Sequence, residues 1–337
     1  MKIFFSTARN PHFNTITEYV ERALRAAGCE VSFFDDRDFL LPGRLRKGAL
    51  ERLDLAFLNR KLRAALKRET PDVMLECGGE RIKPRTLDYA RNAGIKSVLW
   101  TIDAVKDLSD PRIEAASSYD YVFCGGTEML HFLAGRRLRQ PPQWLPFACD
   151  PRLHAPVPQS AGAAQGADAV FVGSLHGDLY GRRLDFLRAA SQACKLALWG
   201  PGSEKLAQPL RGCVRGGETM PEQWTRIYSD APITLCVHYQ DPAGKLPCHQ
   251  ASPRVFEAMA CGAFVLCDAQ ADALKLFQDG RHLAFFSSTG ELREKIAYYL
   301  AHEPERKAIA QAGREEVLAR HTYACRVDRI LDMVGRP

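Results

Sequence analysis

The stretch PCHQASPRVFEAMACGAFVLCD, residues 247–268, decides how the chain is read. Ser252 stands where a helix N-cap belongs and Pro253 at the first helical position, so two independent signals fix a helix start. Gly262 closes that helix, and the apolar strand AFVLCD follows at once. A helix start carries free N–H groups and a partial positive charge, and Arg254 in its first turn adds a full charge suited to a diphosphate. Glu257 comes in the second turn, within reach of the two hydroxyls of an adjoining ribose.

Outward from this segment, short apolar runs alternate with longer stretches of helical period. Upstream lie AVFVGS, a helix over 182–193, KLALWG, a strand around Cys213, a helix over 221–230 and ITLCVHY; downstream lie a helix over 271–278, HLAFFS and a helical tail from Glu291. The first half has the same rhythm: KIFFS, a helix over 15–27 and VSFFD. It continues through DVMLEC (72–77), a helix over 84–93, SVLW (97–100), YVFC (121–124) and a short strand in QWLPFA (143–148). Thr15 and Glu18 have the spacing of a capping box. This is the βαβ order of parallel sheets. It breaks only at DPRLHAPVPQSAGAAQGAD, whose Pro, Ala, Gly and Gln read as a linker. Two α/β halves joined by a linker predict a cleft, with ligands at the carboxyl ends of the strands.

Composition narrows the function classes. In 337 residues, 46 basic and 40 acidic side chains are interleaved to a net charge of +6, with no basic stripe, so nucleic acid is not the expected partner. A mildly basic chain suits an anionic small substrate or a brief visit to an acidic membrane surface. No apolar run nears the roughly 18 residues of a membrane span and no cleavable signal opens the chain, so a cytoplasmic location is expected. The 11 cysteines are odd in number and form no CxxC pair, which indicates neither a disulfide framework nor a zinc site.

A second segment, VFVGSLHGDLYGRRLDFL (170–187), runs from strand through a glycine-bearing loop into a helix opened by Arg182 and Arg183. Arginines at a helix start oppose the dipole, and a bound anion would explain them. The chain contains neither GxGxxG nor GxxxxGK[ST], which weakens dehydrogenase and ATPase readings. In the first half, His12, Glu76, Glu80 and Asp103 follow strands and are each placed to serve as a base or acceptor ligand, although a loop or capping role is the plainer reading of each.

RVFEAMACGAFVLCD, with the downstream Asp279 and Gly280, paired Tyr298 and Tyr299, and His321 to Tyr323, resembles the carboxyl-terminal domain of GT-B glycosyltransferases, most of all the spore-maturation CgeB-like branch. The resemblance covers 170–332 and extends more loosely to PDVMLE, LWTID and WLPFACDP. It implies two Rossmann-like α/β domains facing across a cleft: 1–152 on the acceptor side, a linker over 153–168, a nucleotide-sugar domain over 169–322, and a final helix over 323–337 crossing back to the first domain. By position, Glu257 would hold the ribose, Ser252, Pro253 and Arg254 the diphosphate, and Arg182 or Arg183 with Gly173 and Ser174 would approach from the other side. Retaining relatives carry a second Glu eight positions before the ribose Glu. This chain has His249 there, which leaves the stereochemical outcome open.

Positive side chains and helix N-termini would stabilise the leaving diphosphate, and no metal or cofactor beyond the donor is expected. The expected partners are a nucleotide sugar and a glycan, protein or small-molecule acceptor. His249, Asp103 and His12 are the candidates for the reacting centre. A nucleotide-sugar-binding protein without turnover and a nucleotide-sugar epimerase are the alternatives.

Overall fold

The computed structural model describes residues 1–10, 15–42, 48–79, 81–103, 105, 109–158, 166–217 and 220–336. His12, Glu80 and residues 159–165 of the presumed linker lie outside them. The chain divides into two units, Met1–Pro146 with Tyr323–Pro337, and Phe147–Thr322.

In the first unit the elements run β1 (Lys2–Thr7), α1 (Ile16–Ala26), β2 (Glu30–Asp35), α2 (Ala49–Glu69), β3 (Val73–Cys77), α3 (Pro84–Asn92), β4 (Lys96–Thr101), α4 (Pro111–Ala115), β5 (Tyr121–Cys124), α5 (Thr127–Leu133) and β6 (Gln143–Trp144). All strands are parallel, in the order β2-β1-β3-β4-β5-β6. Central strands such as β3 are buried along their whole length, which is why they read as unbroken apolar runs. The capping box forms, with the Thr15 N–H donating to Glu18 Oε2 at 2.7 Å.

The alternation read from the sequence passes straight from VSFFD to DVMLEC, but the structure places the 21-residue α2 between them. Its buried stripe is Leu58, Leu62, Ala65 and Leu66, while Leu50, Leu53 and Phe57 are exposed. Apolar residues on both faces blur the helical period.

The second unit runs β7 (Ala169–Val172), α6 (Gly177–Ala193), β8 (Leu196–Trp199), α7 (Leu210–Cys213), β9 (Val214–Gly216), α8 (Pro221–Asp230), β10 (Ile233–Cys236), α9 (Pro253–Ala260), β11 (Val265–Asp268), α10 (Ala271–Leu276), β12 (Ala284–Phe286), α11 (Thr289–Ala301) and α12 (Glu303–Arg320). Its sheet is also parallel, in the order β12-β11-β10-β7-β8-β9. Strand order therefore reverses between β7 and β10, and open α/β sheets bind ligands at such a switch point, beyond the carboxyl ends of the strands. The chain then re-enters the first unit as α13 (Tyr323–Val334), where the Tyr323 ring lies 5.6 Å from Tyr19 and Arg326 Nε donates to the Pro146 carbonyl at 2.8 Å.

The change of unit falls at Pro146–Phe147, six residues before the boundary expected from composition. The residues just past it are not a free tether: Asp150 Oδ1 accepts from the Arg152 N–H at 3.0 Å, and the Asp150 N–H donates to His154 Nδ1 at 3.0 Å. Val157 is tied to Ser229 Oγ at 3.1 Å. Proline and alanine set the composition here, whereas a turn built on one aspartate sets the structure.

At the switch point, Gly173 follows β7 and Gly200 follows β8 with their backbones in contact, so a Cβ on Gly200 would fall 1.8 Å from the Gly173 carbonyl oxygen. Gly200 also has φ +149°. Backbone cannot yield to that overlap as a side chain would. Gly200→Ala is expected to destabilise the fold by roughly 3 kcal/mol or more in urea unfolding, whereas Gly181→Ala, where a Cβ meets nothing within 4 Å, should stay within about 1 kcal/mol of wild type.

Candidate functional site

The site in the second unit starts from Phe171 on β7. Its ring carries two guanidiniums: Arg254 Cζ lies 4.9 Å from the centroid and Arg183 Cζ 5.4 Å. Arg254 comes from the first turn of α9, where Ser252 holds the N-cap backbone position and Pro253 follows at N1. The Ser252 hydroxyl makes no capping bond, so the helix start is set by backbone and proline alone. Arg183 comes from α6, which is kinked at Tyr180 (φ −133°, ψ 36°) so that the arginine lies in the first turn beyond the kink.

Hydrogen bonds fix Arg183 in place. Its Nε donates to the Val237 carbonyl at 3.1 Å, its Nη1 to the Ser174 carbonyl at 2.8 Å, and its guanidinium lies 3.9 Å over the Tyr180 ring. Arg254 lies against Gly173, where an added Cβ would meet Nη2 at 2.4 Å, and the φ of +153° at this position itself favours glycine. Arg254 Nη1 is buried with no hydrogen-bond partner, and neither arginine forms an ion pair with a carboxylate among the described residues. Burial, with the charge of Arg254 beside it, pushes the Arg183 pKa down to about 9. Two like charges, one buried and one half-buried, with no acid paired to either among the described residues, make an electropositive site that an anion would relieve.

Glu257 sits one turn into the same helix, and burial raises its carboxyl to about 7 against the opposing pull of Arg254. Its Oε1 lies 3.9 Å from His154 Nε2. Because His154 Nδ1 accepts the Asp150 N–H, a neutral His154 carries its proton on Nε2, facing the carboxylate. His154 was hidden in the stretch that composition assigned to a linker.

Arg182 has a different place from its neighbour. Half exposed, it donates to Asp268 Oδ2 at 3.1 Å and so is occupied by an acid. Asp268 ends β11, and its Oδ1 accepts from both the backbone N–H of His238 at 3.0 Å and His238 Nδ1 at 2.5 Å. Burial works to raise the Asp268 carboxyl, yet His238 and Arg182 together hold it below the usual carboxylate value. Nothing in the sequence patterns singled out His238 or Asp268, since each ends an apolar run that reads simply as a strand.

The remaining sequence candidates are scattered. His249 lies in the loop before α9, half-buried, with its carbonyl accepting the Asp272 N–H at 3.0 Å. Asp103 belongs to the first unit, is exposed, and offers its carbonyl to Arg112 Nη1 at 2.8 Å. Glu76 is the last residue but one of β3 and fully buried, which together with the charge of Asp36 holds its carboxyl well above the usual range. One group of metal-ligating types occurs among the described residues: the ligand atoms of His238, Cys267 and Asp268 lie within 4.8 Å of one another. The Arg182 guanidinium on Asp268 and the burial that keeps the Cys267 thiol protonated make this a poor cation site. All 11 cysteines are free, and no described helix is long and apolar enough to cross a membrane.

Comparison with known proteins bears on the second unit's sequence and on the fold. Residues 182–332 match the family model described as glycosyl transferase-like. That span holds Arg183, His238, Arg254, Glu257 and Asp268, and the fold of the whole chain is that of GT-B glycosyltransferase structures. HepE from Anabaena in complex with UDP and glucose superposes with a TM-score of 0.68 at 15% identity, over 99% of each chain. Sucrose-phosphate synthase from Thermosynechococcus elongatus gives 0.69 at 14% identity over 98% of each, and α,α-trehalose 6-phosphate synthase from Burkholderia multivorans 0.68 at 12% over 99% of this chain and 98% of that one. No curated protein sequence matches the chain.

The raised carboxyl of Glu257 gives a signed stability prediction. The folded state holds this proton more tightly than the unfolded chain, so the contribution is present below the ordinary value of 4.5 and lost as pH rises through about 7. Relative to Glu257→Gln, the wild type is expected to lose about 3 kcal/mol of unfolding free energy between pH 4 and pH 8. Denaturant titrations of both proteins across that range measure it; parallel stability curves would show that Glu257 ionises freely.

Proposed function

We propose that the protein is a glycosyltransferase that moves a sugar from a nucleoside diphosphate donor to an acceptor, with the donor held by the second unit. The observation that carries this reading is the pair of guanidiniums, buried Arg183 and half-buried Arg254, meeting on Phe171 without an ion-paired carboxylate among the described residues. The glycosyl transferase-like match over 182–332 and the UDP complexes of HepE support it and make uridine diphosphate the first donor nucleotide to test.

In this mechanism the diphosphate oxygens lie between the two guanidiniums and the start of α9. As the glycosidic bond breaks, negative charge grows on the diphosphate, and groups already fixed by Val237 and Ser174 stabilise it without reorganising. The arginines then take the part that a divalent cation plays in metal-dependent transfer, so the reaction is proposed to be metal-independent. Glu257 accepts hydrogen bonds from the ribose hydroxyls, with His154 on its far side keeping the carboxylate oriented. His249, on the loop that leads into α9, is the proposed contact for the donor sugar.

Calorimetry tests the assignment. Arg254→Ala and Arg183→Ala are each expected to weaken UDP at least tenfold, about 1.4 kcal/mol, while leaving uridine binding within twofold of wild type. Arg182→Ala should change UDP affinity much less, because its guanidinium is already engaged by Asp268. Equal losses for all three variants would contradict the reading. Release of UDP from a UDP-sugar that depends on added acceptor and survives a chelator would establish transfer without metal.

A further inference from the structure

The Asp268–His238 pair has no role in the binding scheme above, yet it sits beside the arginines. His238 follows β10, and the residue before it, Val237, gives its carbonyl to Arg183 Nε. The ring is 3% exposed and its orientation is fixed, because Nδ1 is held at 2.5 Å by Asp268 Oδ1. Asp268 itself is steadied by Arg182 and by the His238 backbone N–H. Three hydrogen bonds through one carboxylate thus hold the imidazole in one orientation.

Its other nitrogen, Nε2, is buried with no hydrogen-bond partner among the described residues. Leaving a buried polar atom unsatisfied costs about 1–3 kcal/mol, so such an atom in an otherwise well-bonded group points to a missing ligand or water. Direction follows from the sheet. Strand β11, which carries Asp268, flanks β10 on the side away from β7. With Nδ1 turned to Asp268 on β11, Nε2 is turned away from it, and the residue before the ring, Val237, is the one whose carbonyl meets Arg183.

We propose that His238, protonated on both ring nitrogens when the nucleotide is bound, is a third arm of the anion site, its Nε2–H donating to a diphosphate oxygen, and that Asp268, which accepts from Nδ1, is the positioning residue that aims it. The inference rests on the proposed donor site and adds to it a contact that neither arginine supplies. A guanidinium offers charge and several donors, whereas a single clamped nitrogen offers one direction, which selects where the phosphate chain lies.

Two amide substitutions separate this role from a structural one. His238→Asn places a side-chain amide near the position of Nδ1 and can keep the bond to Asp268; His238→Gln places it near Nε2 and can keep the bond to a ligand. Ligand contact through Nε2 predicts that His238→Asn weakens UDP about tenfold or more while His238→Gln stays within about threefold, with uridine binding unchanged in both. The reverse order, or wild-type UDP affinity in His238→Asn, overturns the proposal.

A measurement on the wild type removes any dependence on how the variants fold. In 15N-histidine-labelled protein, the His238 Nε2 resonance is expected to move on adding UDP and to stay in place on adding uridine; a resonance indifferent to UDP that binds overturns the inference and leaves the donor site standing. Asp268→Asn should reduce UDP affinity in the wild type and have little further effect in His238→Asn, as expected of a residue acting through the imidazole. Failure of UDP, GDP, TDP and ADP alike to bind the wild type would overturn the donor-site reading and this proposal together.

Discussion

Two guanidiniums packed on one phenyl ring, Arg183 buried and Arg254 half-buried, with no acid paired to either among the described residues, are the constraint around which the second unit is organised. Burying unpaired charge is expensive, and the depressed pKa of Arg183 expresses that cost. The fold tolerates it because each arginine is braced by uncharged partners. Carbonyls of Ser174 and Val237 and the faces of Phe171 and Tyr180 hold Arg183, and the bare backbone of Gly173 makes room for Arg254. Each of these braces lies at or just beyond the carboxyl end of β7 or β10, or at the start of α6. The switch point of the sheet is where they can meet.

The acids nearby are arranged so as not to quench this charge. Asp268 is taken by Arg182 and His238, and Glu257 is kept partly protonated by burial, with its pKa near neutrality. That division explains why adjacent arginines on one helix have opposite fates. Arg182 balances an acid that also holds His238, while Arg183 is paired with no acid among the described residues. A segment matched to a glycosyl transferase-like family and a fold shared with nucleotide-sugar complexes are the setting in which such a site makes chemical sense.

Much of the fold was legible because parallel strands buried on both faces leave continuous apolar runs, and because Ser252, Pro253 and Gly262 mark the limits of α9 with residue types that few other roles require. Helix α2 escaped notice because its apolar residues occupy two faces, and the start of the second unit escaped because an aspartate-based turn over 150–154 is spelled in linker composition. At the site, Arg254 and Glu257 were readable from their spacing within one helix turn. The distinction between Arg182 and Arg183 was not, since only the third dimension shows which one meets Asp268. His154, His238 and Asp268 were invisible for the same reason: each gains its meaning from a partner between 4 and about 100 residues away in sequence.

The most direct measurement is a crystal structure of the protein with UDP bound. The account predicts the β-phosphate between the guanidiniums of Arg183 and Arg254, and the two ribose hydroxyls within hydrogen-bond distance of the Glu257 carboxylate. A nucleotide bound elsewhere, with the arginines still facing each other across Phe171 and Glu257 untouched, would contradict it.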